Sequence, residues 1–211
     1  MIVCDDVLQD ISSARDIAVS ESTFEVESKT AYPGRRAKLS QSYSAVVFPL
    51  VESLIREYYP LPQPSAAQLN ASYFSVVTLA PKDLSLQQRI PHFDSVNPLY
   101  FAAMQFINEG NFGGTSFYNH RPTGFENINV ERTNELIQSA QSFIRRSPPR
   151  QNYFGDSDDH FLRIGTVRHK ANRLLIYPGT LLHSGNIHSA ADINSDPATG
   201  RLTANMFVEF R

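Results

Sequence analysis

Within Ile90-Pro91-His92-Phe93-Asp94-Ser95 an imidazole and a carboxylate stand two residues apart. In extended chain, residues i and i+2 project to the same face, so His92 and Asp94 can hold one cation while Phe93 packs behind. Two donors leave a metal undercoordinated, and a third must come from elsewhere in the chain. Two imidazoles and one carboxylate, with open positions opposite, form the donor set that suits Fe(II) and oxygen chemistry. His183 is delivered by an apolar run, Arg173 to Tyr177, a Pro178-Gly179 turn and a second short run through Leu181 and Leu182. Each piece also has a plainer reading. His92 with Asp94 fits a surface ion pair or a turn cap, and His183 fits a buried histidine satisfied beside Leu181 and Leu182.

A second pattern lies near the C-terminal end of the sequence. Leu202, Ala204, Met206 and Val208 alternate with Arg201, Thr203, Asn205 and Phe207, which predicts a strand with one apolar face and one mainly polar face. A polar face turned inward needs partners, because buried charge is costly when unpaired. A planar guanidinium beside a hydroxyl is a natural carboxylate clamp; an exposed edge strand would carry the same residues. Among other titratable groups, His120 and Arg121 read as a substrate mouth or a solvated loop. His160 with Asp156, Asp158 and Asp159 reads as a solvated acidic loop, since the spacing does not match a calcium loop. His169, flanked by Arg168 and Lys170, reads as a basic turn, His188 as a non-ligand, and Cys4 lies too far upstream to place.

The elements that must position these groups follow from periodicity. The first third reads helical: Val7, Leu8, Ile11, Ala14, Ile17 and Ala18 recur at helical spacing, with Asp10, Ser12 and Ser13 as candidate caps. Tyr32-Pro33-Gly34 marks a turn. A second helix is predicted over about 44–59, with Pro49 tolerable only near its first turn, and Pro60, Pro62 and Pro64 end it. Strands are then predicted over 73–79, 99–107, 115–118, 161–167, 173–177, 181–183 and 202–210. One helix, marked by Leu136, Ile137, Ala140, Phe143 and Ile144, interrupts them. Many short strands between Gly and Pro turns suggest a sandwich or barrel. The division expected is a helical support region over 1–66 and a β core over 67–211 with a helical insertion near 131–147, in one compact domain.

Composition excludes several classes of partner. The formal net charge is -2 and the basic residues are scattered, so no nucleic-acid surface is expected. No apolar run reaches the roughly 18 residues of a membrane span. One cysteine in 211 residues permits neither an internal disulfide nor a multi-cysteine zinc site, which points to a reducing compartment, the cytoplasm. The opening segment turns acidic at Asp5 and Asp6 without a basic, then apolar, lead-in, so no signal peptide is expected.

Taken in order, His92-x-Asp94, Gly113-Gly114-Thr115, the Tyr177-Pro178-Gly179 turn before His183, and Arg201-x-Thr203 resemble the 2-oxoglutarate- and Fe(II)-dependent dioxygenases. The nearer neighbours are the prolyl-hydroxylase-like branch and a bacterial group of similar domains. The resemblance spans roughly 72–210. It implies a mainly β double-stranded β-helix (a jelly-roll, cupin-like), Fe(II) held by His92, Asp94 and His183, and 2-oxoglutarate held through its distal carboxylate by Arg201 and Thr203. It also implies O2 as cosubstrate and oxidation of a small molecule or an amino-acid or peptidyl side chain; a homodimer is admitted. The tyrosine that many relatives place before His-x-Asp is absent: Thr78 or Leu79 stands nearest, and Tyr73, Tyr100 or Tyr118 are the substitutes available. Two rivals share the fold: a cupin-like metalloenzyme without an oxoacid, and a non-catalytic jelly-roll binding module.

Overall fold

The computed structural model describes residues 1–27 and 31–211. Nine strands and three α-helices follow one another among these residues. They are β1 (Ile2–Cys4), α1 (Ile11–Ser20), β2 (Gly34–Lys38), α2 (Gln41–Tyr58), β3 (Ala67–Val77), β4 (Tyr100–Phe106), β5 (Thr115–His120), α3 (Val130–Arg146), β6 (Phe161–Val167), β7 (Leu174–Pro178), β8 (His183–Gly185) and β9 (Thr203–Phe210). The strands form two antiparallel sheets, one ordered β1-β7-β4-β9-β3-β2 and one ordered β6-β5-β8. The fold is mainly β, with few helices.

The period-2 pattern decides which side of the large sheet is which. Leu202, Ala204, Met206 and Val208 of the β9 segment join Phe74, Phe101 and Ile176 in an apolar core beneath Ala14 and Ala18 of α1 and Val47, Val51 and Ile55 of α2. Burial of the Leu, Val, Ile, Met and Phe side chains among them contributes about 1.5–3 kcal/mol each, so this face fixes the sheet on its helices. The opposite face meets the small sheet through Ala102, Met104, Leu175 and Tyr177, packed against Phe117 and Val167.

Three details depart from what sequence pattern suggests. The first third is not wholly helical, because β1 pairs with β7 and β2 pairs with β3 along their lengths. Next, α2 begins at Gln41, capped by the Ser40 side chain accepting from Tyr43 N–H, so Pro49 falls inside the helix. Proline removes the bond to the carbonyl four residues back; Pro49 and Ala45 are both exposed, so the freed carbonyl is open to solvent. Lastly, His120, at the end of β5, and His160, in the bend just before β6, are buried rather than solvated. They are 0% and 1% exposed, and their Nε2 atoms are 2.7 Å apart in a hydrogen bond. His120 Nδ1 bonds the Thr123 hydroxyl at 2.6 Å, and Phe143 of α3 stacks on His160 at 4.1 Å. The antiparallel register that sets His120 opposite Phe161 brings the two rings together, and the Asp158 carboxylate is taken up accepting from the His160 and Phe161 N–H groups.

This pair makes stability depend on pH. Burial pushes the His120 imidazole down to about 4, helped by His160, and lowers His160 as well. A depressed folded value means the unfolded chain takes up protons first. The contribution is therefore full above the unfolded value of about 6.5 and is lost as pH falls through the folded one. Denaturant unfolding of the chelator-treated protein will show stability declining between about pH 6.5 and 4, and His160→Gln will reduce the slope. A flat profile across that window would exclude this role.

Candidate metal centre

His183 and His92 are placed by backbone pairing. The His92 N–H donates to the His183 carbonyl at 2.9 Å and the His183 N–H returns a bond to the His92 carbonyl at 2.8 Å, so the segment carrying His92 extends the small sheet beyond β8. Residues directly opposite in such a pair share a face, and the two rings lie 4.4 Å apart. Asp94 joins them two residues along. Its N–H donates to the Gly179 carbonyl at 2.7 Å, and the Gly179 N–H donates to the Tyr100 carbonyl at 2.7 Å. A Cβ at Gly179 would lie 2.7 Å from the Tyr100 ring and 3.3 Å from Asp94 Cβ, so the Pro-Gly turn needs its glycine to let the carboxylate approach.

One ligand atom from each of His92, Asp94 and His183 falls within 4.8 Å of the others. His183 Nδ1 lies 2.9 Å from the Leu181 carbonyl; only an Nδ1–H can make that bond, which leaves Nε2 with its lone pair. That lone pair faces Asp94 Oδ2 at 3.7 Å, and Oδ2 is buried without a hydrogen-bond partner among the described residues. Two acceptors turned toward each other are stable only with a proton or a cation between them. Burial reinforces the point: it lowers His92 and His183 to about 4, the neighbouring imidazole adding to the effect on His92, and it raises Asp94. Both imidazoles are thus neutral at pH 7, as metal ligation requires. The donor set fits a divalent ion with vacant positions, and the carbonyl behind His183 orients the ring as outer partners of ligating histidines do.

Arg201 and Thr203 open onto the same cavity as the three donors, a space of about 770 Å³ between the sheets. Arg201 is 4% exposed. Its Nε donates to the Gly113 carbonyl at 2.6 Å and its Nη2 to the Gly114 carbonyl at 3.1 Å, while the guanidinium lies over Phe106. Nη1 is left for a ligand, and no Asp or Glu pairs with Arg201 within 4.0 Å among the described residues. The two glycines are required sterically: a Cβ at Gly113 would meet the Asn186 carbonyl at 1.4 Å, and one at Gly114 the Val167 carbonyl at 2.0 Å. Thr203 accepts from Asn205 Nδ2 at 3.0 Å, and Phe207 completes this face of the cavity.

The aromatic wall differs in part from expectation. Tyr73 and Tyr100 line the cavity, joined by Tyr32, Tyr153 and Tyr177, whereas Tyr118 packs against Phe154 in a separate cluster under α3. His169 is held between Phe106 and Phe112. Arg36, on β2, also reaches the cavity; sequence pattern gave no sign of it, since its strand shows no alternation.

A family model described as a family of unknown function (DUF6445) matches residues 1–208. No curated protein matches. Among solved structures, the fold is similar to HygX from Streptomyces hygroscopicus with iron bound, at a TM-score of 0.53 and 13% identity over 99% of this chain and 81% of that one. The same protein with nickel and 2-oxoglutarate bound gives 0.51 and 14%, over 99% and 82%. At these identities the likeness is one of fold. Among the described residues no helix is long and apolar enough to cross a membrane.

Proposed function

We propose that this chain, which belongs to the DUF6445 family, is a 2-oxoglutarate- and Fe(II)-dependent oxygenase on a double-stranded β-helix. His92, Asp94 and His183 would hold the metal, and Arg201 and Thr203 the distal carboxylate of the cosubstrate. The observation that carries this reading is the buried guanidinium of Arg201, without a carboxylate partner among the described residues, in the same cavity as a three-donor cluster. A metal site alone would suit many hydrolases or isomerases. A metal site sharing its cavity with a buried arginine that has no carboxylate partner among the described residues suits a chelating oxoacid with a second carboxylate. The solved HygX structures with iron, and with nickel and 2-oxoglutarate, support the choice by fold.

Bound Fe(II) with 2-oxoglutarate supplies the activation of O2 that yields succinate, CO2 and an oxidised substrate. The protein supplies geometry and surroundings. Leu181 holds His183 in its ligating tautomer. Gly113 and Gly114 aim Arg201. Ala102, Met104, Tyr177 and Phe207 give the cavity an apolar wall that limits water around the reacting centre. The cavity volume suits a small-molecule substrate, and a side chain presented by a peptide would have to enter the same space.

The test is succinate release from Fe(II)-reconstituted protein given 2-oxoglutarate and O2. The expected result is slow, substrate-independent turnover that stops on chelation. Stoichiometric metal without 2-oxoglutarate binding would replace the reading with a cupin-like metalloenzyme. Absence of metal uptake would replace it with a binding module.

A further inference from the structure

The wall that Arg36 joins has a charge pattern of its own. Arg36 extends from β2, opposite Ser75 of β3, and its guanidinium lies between two rings, 4.3 Å from the Tyr32 centroid and 4.9 Å from that of Tyr73. Such stacking holds the guanidinium plane in place and leaves its edges to recognise ligands. On one edge Nη1 pairs with Glu27 Oε2 at 3.2 Å, with side chains 15% and 30% exposed. Nε, on the other, is buried with no hydrogen-bond partner among the described residues. A buried donor without an acceptor is destabilising, and an acceptor arriving from the cavity removes that penalty.

Charge counting gives the sign of the visitor. The charged side chains lining the cavity among the described residues are Arg36, Arg201 and Asp94. Two guanidinium charges and a divalent ion against one carboxylate leave three positive charges, and a dianionic oxoacid removes two. The remainder sits at Arg36, offset only from its outer edge by Glu27. An amine-rich substrate would find no carboxylate there beyond Asp94. Arg36 also acts electrostatically on His92 and Asp94, so a group bound to it lies within Coulomb reach of the metal donors. Tyr73, Tyr100 and Phe207 line the same cavity, the last two roughly stacked with centroids 6.1 Å apart.

From this geometry we infer that Arg36 binds the substrate through a carboxylate, and that the substrate class is a small carboxylic acid with a flat or aromatic body. The inference rests on the oxygenase reading for the charge contributed by the metal and its cosubstrate. The planar Nε edge suits bidentate carboxylate recognition.

The experiment uses full-length protein loaded with Mn(II) and saturating 2-oxoglutarate, so that Arg201 is occupied. Ligand-observed NMR compares arylalkanoic acids with their matched primary amides and amines, 3-phenylpropionate, 3-phenylpropanamide and 3-phenylpropylamine among them. The acids will bind about tenfold or more tightly than the amides, with the amines weakest. Arg36→Met will remove the preference, and Arg36→Lys will retain part of it. Glu27→Gln will strengthen acid binding by freeing Nη1, an effect that a merely structural Arg36 would not produce. Inorganic phosphate, run as a competitor, separates carboxylate recognition from binding of any anion: displacement of the acids as effective as that by another arylalkanoate would overturn the carboxylate assignment. Equal affinity for acid and amide, no binding of either, or a preference that survives Arg36→Met but vanishes in Arg201→Met would each overturn the inference. Mn(II) relaxation enhancement, read first, keeps the two readings apart. Metal bound with no acid preference removes only the role of Arg36, whereas no bound metal removes the oxygenase reading itself.

Discussion

Replacing Asp94 with asparagine will abolish stoichiometric Fe(II) or Mn(II) binding while leaving the metal-free protein at least as stable as its parent. The two effects have one origin. Asp94 Oδ2 is a buried acceptor with no hydrogen-bond donor among the described residues, facing the His183 Nε2 lone pair at 3.7 Å. A cation resolves this confrontation, and without one the carboxylate is a standing penalty of about 1–3 kcal/mol. An asparagine amide in that place can donate to Nε2, so the penalty becomes a bond. It offers the metal only a neutral, weaker donor, and affinity should fall by about a hundredfold or more, on the order of 3 kcal/mol. Metal content by mass spectrometry and urea unfolding of chelator-treated protein measure the two sides. A variant that keeps its metal would place the centre elsewhere, and one that loses stability would contradict the orphaned-carboxylate account. Stability gained by removing a functional group is the usual mark of a site held against its own preference.

Arg201→Met is the second large effect, and it should act on a different ligand. Metal affinity will stay within a few-fold of the parent, because Arg201 contacts the Gly113 and Gly114 carbonyls rather than the three donors. Affinity for 2-oxoglutarate, titrated calorimetrically into Mn(II)-loaded protein, will fall by about a hundredfold or more. Truncating one partner of a buried charge pair costs about 2–5 kcal/mol. Arg201→Lys will recover only part of the loss: lysine keeps the charge but cannot bond both glycine carbonyls and still present a donor in the guanidinium plane. Unchanged 2-oxoglutarate affinity in Arg201→Met would rule out the clamp. The methionine variant will also unfold at lower denaturant, since the buried Gly113 carbonyl loses its donor and the Gly114 carbonyl keeps only that from the Asn186 N–H, and a binding loss should therefore be read on protein shown to be folded.

How much of this was legible in the sequence depends on the kind of signal each part leaves. The β9 pattern was clear because a strand sandwiched between a helix-covered core and a cavity must alternate, and Leu202 through Val208 does so without a break. The large apolar strand before Gly113-Gly114 and the α3 helix were clear for similar reasons of period and length. Strand β2 was not. Gly34-Arg35-Arg36-Ala37-Lys38 has no apolar alternation, and it is a strand because the exposed edge of β3 offers it a full register of partners. Arg36 was missed with it, since a residue's place in a cavity follows from pairing that a local pattern does not encode. The His120–His160 pair was missed for the same reason: forty residues separate them, and only the β5–β6 register brings the rings together. His183 was a candidate through the Pro-Gly turn ahead of it, yet its position directly opposite His92 is a product of tertiary pairing. Pro49 shows the converse, a local rule overridden where a lost backbone bond is exposed to water.

Strand β9 is hydrogen-bonded on both sides, to β3 and to β4, and this sets which errors the gene can tolerate. Deleting a single codon among those for 203–207 would turn the residues on one side of the gap over, presenting aliphatic side chains to the cavity and polar ones to the helices. No point substitution could repair that. The exposed turn just upstream, around 195–199, lies outside this lattice, so codons gained or lost there could be absorbed without moving Arg201. Natural length variation, and any engineered insertion, should therefore concentrate on that turn and stop abruptly at the start of the strand.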